Sequence, residues 1–241
     1  MPRKTETPVP TAARRLVRTA RSASLATALG GKRAGWPYAS LVTVACDVDG
    51  SPVLLLSGLA DHTRNLALDN RVCLLFEAAS GLANPQTGAR VSVTGRLKRT
   101  TDENLARRFL ARHPGAGRYA GFGDFAFYRL DVERAHFVGG FGRATWFGAA
   151  KFLFEKDPSK AVANAEAGLL EALDENHGDA IPALARKLFG GKGKAWRAIG
   201  VDPEGCDFRC RNTFRRHDFE NPAGSVRALR EKLASLWITC E

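Results

Sequence analysis

The chain has 241 residues, of which 44% are hydrophobic and 25% charged, values typical of a globular protein rather than a disordered or fibrous one. No apolar run approaches the roughly 20 residues that a membrane-spanning helix needs, so we expect no membrane insertion. The net charge of +11 predicts a basic surface, for which nucleic acid, an anionic membrane and acidic small molecules are all candidate partners.

Residues 1–12 are polar and are predicted to form a flexible tail. A short helix follows, capped by Thr11, in which Leu16, Val17 and Ala20 share one face and basic residues cover the other. The five cysteines are scattered and odd in number, which argues against a disulfide framework. We therefore expect reduced thiols and a cytoplasmic protein.

Residues 13–150 alternate short apolar runs with turn signals, which is typical of an antiparallel sheet. The fifth strand places Val91, Val93 and Gly95 on one face and Ser92, Thr94 and Arg96 on the other. One helix is predicted at 61–68, with Asp61 as its N-cap, and another from the capping residue Thr101 to Ala111. The predicted strands are 24–29, 38–46, 53–57, 71–76, 90–99 and 125–138. This pattern favours a closed barrel.

The pattern changes near residue 150, where we place a domain boundary. Residues 151–157 are predicted to be a linker, and a long helix is predicted to begin at Pro158. Further helices are predicted at 180–189 and 224–237, and strands at 196–201, 206–211 and up to 219. The fold class is therefore α+β, with a barrel over 13–150 followed by a small α+β domain over 151–241.

A group of polar residues is predicted to gather at one end of the second and third strands. Ser40 and Ser57 stand at comparable heights if these strands pair, and Thr63 and Arg64 begin the helix that follows. Hydroxyls, a guanidinium and a helix N-terminus are the groups that bind a phosphate. The alternative is that these are scattered surface residues with no common ligand.

Three segments resemble the pyridoxamine 5'-phosphate oxidase-like split-barrel flavoproteins, and most of all their haem-utilisation branch. They are GWPYASLV at 35–42, LLLSGLADHTRNL at 54–66 and NRVCLLF at 70–76. The strand at 90–96 and the segment 137–142 resemble later parts of the same barrel. The resemblance continues in residues 172–180 and 200–207, which are similar to the small C-terminal domain of that branch.

The resemblance implies an FMN-binding homodimer that acts as an oxidoreductase on an unidentified small substrate. Position by position, it implies that Arg90 lies near the flavin ring. The residues that would hold the rest of the cofactor, the phosphate above all, are Ser40, Ser57, Thr63, Arg64 and Asn65. The true oxidases carry Arg and Lys where this chain has Ser40 and Ala45, and their Arg-x-His signature is missing. Oxidation of pyridoxamine phosphate is therefore not expected.

Haem binding or haem degradation is the alternative that the branch implies. Its candidate iron ligands are His62, His136 and His177, because a neutral imidazole is a usual ligand of haem iron. Each histidine also has a structural interpretation. His62 could pack at a helix start, His136 could be an ordinary sheet residue, and His177 could form a helix–helix hydrogen bond.

Three further interpretations concern a zinc site, nucleic-acid binding and a regulatory role. Cys206, Cys210 and His217 are too few for a typical structural zinc site, and alternation in a hairpin accounts for them equally well. The basic residues at 186–216 match no nucleic-acid-binding motif, so a solvated basic face is favoured over nucleic acid. A non-catalytic regulatory module remains open, and its sign would be an exposed apolar patch within 150–241.

Overall fold

The computed structural model describes residues 7–140, 144–190 and 193–238. It separates into a barrel unit, Met1–Phe109 with Gly115–Leu153, and a C-terminal unit, Leu110–Pro114 with Phe154–Glu241. Residues 1–6 of the predicted tail and residues 141–142 of the segment at 137–142 lie outside the described residues.

Six antiparallel strands close into a barrel in the order β3-β2-β1-β4-β5-β6, because β6 also pairs with β3. The strands are β1 (Ser22–Ala28), β2 (Pro37–Cys46), β3 (Pro52–Ser57), β4 (Arg71–Glu77), β5 (Arg90–Thr100) and β6 (Phe125–Val138). The predicted α+β barrel is thereby confirmed. A seventh strand, β7 (Ala144–Gly148), continues the sheet beyond β6 and was not predicted.

The two faces of the sheet follow the alternation in the sequence. One row across β1, β4, β5 and β6 is wholly buried and consists of Leu25, Leu74, Val93 and Ala135. The neighbouring row faces outward and consists, from β2 to β7, of Leu41, Ser24, Leu75, Ser92, His136 and Trp146. We call this second set the outer row.

Gly95 lies at a register shift between β5 and β6. A Cβ atom at this position would overlap the backbone carbonyl of Asp131, so the strands approach this closely only because residue 95 is glycine.

The N-terminal helix α1 (Val9–Thr19) is longer and more deeply buried than predicted. It begins at Val9, inside the predicted tail, because Pro10 is at its start, where its fixed φ favours a helix. Thr11 consequently lies within the helix and does not cap it. Ala13 and Val17 are fully buried in the barrel core, as a helix that packs its apolar face requires.

The predicted basic outer face of α1 is wrong for two of its arginines. Arg14 is 6% exposed and donates to the Phe152 carbonyl at 2.6 Å. Arg18 is 1% exposed and donates to the carbonyls of Val48 at 2.7 Å and Asp47 at 3.3 Å. Both guanidiniums therefore satisfy backbone carbonyls near the turn after β2 and near the end of the barrel unit.

We expect Arg18→Ala to lower the free energy of unfolding by about 2–3 kcal/mol, because it leaves buried carbonyls without a donor and opens a cavity. Urea denaturation followed by circular dichroism measures the change. Arg33→Ala, at an exposed position in the same unit, is the matched control and should change stability by less than about 0.5 kcal/mol. Equal effects of the two substitutions would contradict the assigned role of Arg18.

Three helices accompany the barrel strands: α2 (Asp61–Leu68), α3 (Glu103–Arg112) and α4 (Ala149–Phe152). The bounds of α2 agree with the prediction, although its N-cap is Ala60 rather than Asp61. At the start of α3, Asp102 and not Thr101 accepts hydrogen bonds from the first-turn amides of Asn104 and Leu105. A carboxylate accepts these bonds more strongly than a hydroxyl does.

The C-terminal unit combines three helices with a three-stranded antiparallel sheet of order β10-β9-β8. Its elements are α5 (Lys156–His177), α6 (Ile181–Phe189), β8 (Trp196–Asp202), β9 (Gly205–Cys210), β10 (Thr213–Asp218) and α7 (Val226–Ile238). Helix α5 begins two residues before Pro158, so the predicted linker over 151–157 is partly helical.

A buried ionic network lies within the sheet of the C-terminal unit. The Arg216 side chain is 1% exposed and donates to Asp202 at 2.7 and 2.8 Å, Asp207 at 2.9 Å and Asp218 at 2.7 Å. Burial opposes the charge of Arg216, but Asp202 and Asp207 outweigh that effect and raise the pKa of the guanidinium. The β8–β9 hairpin and β10 are therefore joined by one shared cation.

Candidate functional site

Two of the predicted site residues meet at the end of the barrel where β2 and β3 separate. The pairing of β2 with β3 extends only from Cys46 and Pro52 to Val44 and Leu54, so the strands are not paired at the level of Ser40. In this region Ser40 Oγ lies 3.1 Å from Nδ1 of His62, the second residue of α2. The histidine is half-buried, and no second polar partner of its ring is found among the described residues.

The environment of His62 keeps its imidazole neutral. Burial lowers the pKa of His62 below its ordinary value of 6.5, and the negative charge of Asp61 opposes this shift only in part. A neutral imidazole that donates its Nδ1 proton to Ser40 carries a lone pair on Nε2, which is the form that ligates a metal.

The hydroxyl of Ser57 is hydrogen-bonded to a residue that is distant in the sequence. Its hydroxyl donates to Oδ2 of Asp124 at 2.6 Å and accepts the amide hydrogen of Leu59 at 3.1 Å. No sequence motif links Ser57 to Asp124, which lies 67 residues away in the turn before β6. A carboxylate at this position repels a phosphate, so Ser57 is poorly placed as a phosphate ligand.

The three α2 residues predicted to hold the cofactor have different surroundings. Thr63 has a buried hydroxyl with no partner among the described residues. Arg64 is exposed and lies 3.4 Å from Asp61 in a weak surface pair. Asn65 is 6% exposed and donates to Thr27 Oγ1 at 3.0 Å, which places it in the core next to β1.

Arg90, the residue expected beside a flavin ring, is half-buried at the start of β5. Its guanidinium donates to the carbonyls of Gln86 at 3.2 Å and Gly88 at 3.4 Å. Arg90 therefore stabilises the loop that precedes β5. The described residues assemble the Ser40–His62 pair, but they do not gather the other predicted phosphate ligands around one point.

His136 lies in the outer row and stacks on Trp146 of β7, with ring centroids 4.5 Å apart and an interplanar angle of 14°. Arg134 lies over the same indole at 5.0 Å. Trp146 was not predicted to matter, because β7 is only five residues long and offers little periodicity to recognise.

His177, the third histidine candidate, lies in the C-terminal unit at the end of α5. Its ring stacks on Trp237 of α7 at 4.5 Å and 14°. Among the described residues, no group of three or more His, Cys, Asp or Glu side chains is arranged to hold a metal ion. Cys206 and Cys210 are buried free thiols.

Large exposed apolar side chains are concentrated in the barrel unit. Within the described ranges every one of them belongs to that unit, and none lies in 150–241 as the regulatory-module interpretation requires. They are Trp36, Leu41, Leu59, Leu68, Leu75, Leu82, Phe122 and Trp146. A search of the described helices for one that is long and apolar enough to cross a membrane found none.

Comparison with protein-family models matches residues 4–153 to the β-barrel of CREG. A curated relative, the chloroplastic non-canonical heme oxygenase HOZ of Arabidopsis thaliana, is 36% identical over 128 residues. That match covers 52% of this chain and 38% of the relative, so the chain corresponds to well under half of the relative's length.

Two solved structures match over almost the whole chain. The protein Atu2129 of Agrobacterium tumefaciens, of unknown function, has a TM-score of 0.76 at 24% identity, covering 98% of this chain and 97% of the other. A heme binding protein from Mycobacterium smegmatis has a TM-score of 0.57 at 28% identity, covering 98% of both chains. Campylobacter jejuni ChuZ shares the fold over 64% of each chain, with a TM-score of 0.54 at 16% identity.

Proposed function

The chain belongs to the CREG β-barrel family, and from that premise we propose that its barrel unit would bind haem with His62 as a ligand of the iron. Two relatives, one at 36% and one at 28% identity, carry haem in their names, which supports a haem ligand for this chain. The observation that carries the proposal is the Ser40–His62 pair, which orients a half-buried imidazole whose pKa is lowered by burial.

Two large apolar side chains are exposed near the end of β3, the strand that precedes the helix carrying His62. Leu59, three residues before His62, is 69% exposed, and Phe122, whose ring lies 6.5 Å from that of Phe125, is 58% exposed. Ser57 pairs with Phe125 in the sheet, so both side chains flank the end of β3. Exposed apolar residues of this size mark binding surfaces, and burial under a porphyrin would remove them from water.

Arg64 supplies the charge that haem propionates require. Its pair with Asp61 is 65% exposed on both sides and 3.4 Å long, so little energy is lost when the guanidinium turns to a carboxylate of the ligand. Haem, when bound, supplies redox chemistry at its iron, and haem degradation is the reaction that we propose for the barrel. The residues of this chain would hold the ligand and orient His62.

Haemin titration of the purified protein tests the proposal directly. We expect a Soret band that shifts and saturates at one haemin per chain, and a rise in melting temperature. Reductant and oxygen added to the complex should then bleach the Soret band if the barrel degrades haem. Haemin uptake no stronger than that of an unrelated control protein would overturn the proposal. Saturable FMN binding in its place would favour the flavin alternative.

The pKa of His62 determines how haem affinity depends on pH. Protons compete with iron only below the lowered pKa, so the haemin dissociation constant should change by less than about twofold from pH 8 to 6.5. It should then rise as the pH falls further. The unfolded chain takes up the proton near pH 6.5, before the folded one, so the free energy of unfolding also falls through this interval. His62→Ala should remove both dependences, and a dissociation constant that already rises above pH 7 would contradict the assignment.

We also propose that the outer row is the interface of a homodimer. Three of its members are large and exposed, namely Leu41 at 78%, Trp146 at 50% and Leu75 at 39%. Ser24 and Ser92 lie between them and are small, so the three apolar side chains project along one row that runs from β2 to β7. Such a surface is costly in water unless a second copy covers it.

Leu41→Glu should convert the dimer into a monomer, because it replaces the most exposed apolar side chain of the proposed interface with an unpaired charge. Size-exclusion chromatography with light scattering measures the mass. Leu82→Glu, at a 44% exposed loop position outside the outer row, should leave the dimer intact. A wild-type protein that is monomeric at 100 μM would refute the dimer.

A further inference from the structure

The C-terminal unit contains two adjoining cavities that the haem proposal does not use. The first, of about 200 Å³, lies between α5 and α7 and has an apolar wall that includes Leu169, Leu173 and Leu233. The second, of about 480 Å³, is polar and lies between the end of α5 and the start of β8. Asn176 and His177 line both cavities, so the two spaces meet at the residues that the sequence resemblance singled out.

The polar cavity is lined by unpaired charges of both signs. Asp174, Glu175 and Asp179 contribute three carboxylates, and Lys194 and Arg197 contribute two cations. None of these five side chains forms an ion pair within the part of the chain that the structure describes. Opposite charges that surround a cavity without joining each other are suited to a ligand that carries both charges itself.

Two buried indole donors also have no partner. Trp196, which is 4% exposed, lines the polar cavity, and Trp237 lines the apolar one. Neither Nε1–H group has a hydrogen-bond acceptor among the described residues. An indole N–H can only donate, and buried donors are seldom left unpaired, so each indole would gain from an acceptor group that enters the neighbouring cavity.

The apolar cavity limits the size of the group that enters it. Its wall includes the small residues Gly168, Ala172 and Ala234, which leave the space open. The volume of about 200 Å³ is below the range of roughly 300–1,000 Å³ that accommodates drug-sized ligands, so one aromatic ring or one branched chain fits. The stacked His177 and Trp237 rings offer an aromatic face at this boundary.

We propose that the C-terminal unit binds a free α-amino acid with a large apolar side chain. The side chain occupies the cavity between α5 and α7. The ammonium group faces the carboxylates of Asp174, Glu175 and Asp179, and the carboxylate faces Lys194, Arg197 and an indole N–H. This site is independent of haem, because every residue that forms it belongs to the C-terminal unit.

Isothermal titration of the full-length protein with L-phenylalanine and L-leucine tests the proposal. We expect one site per chain and quenching of tryptophan fluorescence that Trp237→Phe diminishes. Three probes each lack one recognised group: 3-phenylpropionate has no ammonium, phenethylamine has no carboxylate, and glycine has no side chain. Each should bind at least tenfold more weakly than L-phenylalanine. The assignment is wrong if neither L-phenylalanine nor L-leucine binds, or if 3-phenylpropionate binds as tightly as L-phenylalanine.

Matched variants locate the site. Ala172→Leu fills the apolar cavity and should weaken L-phenylalanine binding at least tenfold, whereas Ala167→Leu, on the exposed surface of the same helix, should not. Arg197→Gln should weaken binding of the amino acid, whereas Arg215→Gln, an exposed position outside the cavity, should have no effect. Haemin binding should be unchanged in all four variants. Unaltered L-phenylalanine binding by Ala172→Leu would place any site elsewhere and refute the proposal.

Discussion

His62→Ala is expected to weaken haemin binding by at least about 100-fold and to abolish the shifted Soret band. Loss of a hydrogen-bonding partner of a metal-bound histidine typically costs 10–100-fold in affinity, and loss of the ligand itself should cost more. The imidazole is half-buried and its Nδ1 is 3.1 Å from Ser40 Oγ, so the substitution removes the proposed ligand together with the partner of Ser40. Titration monitored by absorbance measures the change.

The control variants separate ligation from general damage. Ser40→Ala should keep the ligand but release its orientation, with a loss of about tenfold. His136→Ala removes a histidine of the same unit that stacks on Trp146 and should change affinity by less than about threefold. His177→Ala alters only the C-terminal unit. If wild type and His62→Ala bind haemin with equal affinity and His136→Ala binds it much more weakly, the iron ligand is His136 in the outer row and not His62.

Local pattern sufficed to predict the barrel and its family. In β5, apolar residues alternate with polar ones, and the structure buries Val91, Val93 and Gly95 and exposes Arg96, as predicted. The helix Asp61–Leu68 has the bounds that its local sequence predicted. The resemblance to the haem-utilisation branch, which depends on the order of such local segments, is confirmed by the family match and the relatives.

Pairs between distant residues could not be predicted from pattern. Ser57 and Asp124 are 67 residues apart, Asn65 and Thr27 are 38 apart, and neither pair belongs to a recognisable motif. Hydroxyl, amide and guanidinium groups can donate both to phosphate and to protein acceptors, so residue type alone left the role of these side chains undecided. The burial of Arg18 was missed for the same reason, because its carbonyl partners lie in the turn after β2.

The network around Arg216 has consequences for the C-terminal unit alone. Every hydrogen bond of the guanidinium recorded in the structure goes to a carboxylate of β8, β9 or β10. Its partners Asp202 and Asp207 are themselves mostly buried, with side chains 1% and 11% exposed. Removal of the shared cation therefore leaves negative charges in a site that water reaches poorly, which costs more than the loss of a surface pair.

Arg216→Met should destabilise the C-terminal unit by about 3–5 kcal/mol, because it roughly preserves volume but removes the guanidinium that Asp202, Asp207 and Asp218 share. Hydrogen exchange resolved by segment measures the loss in residues 154–238, and it should leave β1–β6 protected. Arg215→Met, at the exposed neighbouring position, is the matched control and should be nearly neutral.

The pH dependence of the same variant provides an independent test. Without Arg216, burial and mutual repulsion raise the folded-state pKa values of these carboxyls above their unfolded value of about 3.9. The folded variant then binds more protons than the unfolded one, so its free energy of unfolding rises as the pH falls through those raised values. Asp202→Asn in the Arg216→Met background should recover part of the lost stability at pH 7 for the same reason. If the deficit of Arg216→Met is the same at pH 5 and pH 8, and Asp202→Asn adds to it, the cation does not hold this unit together by charge.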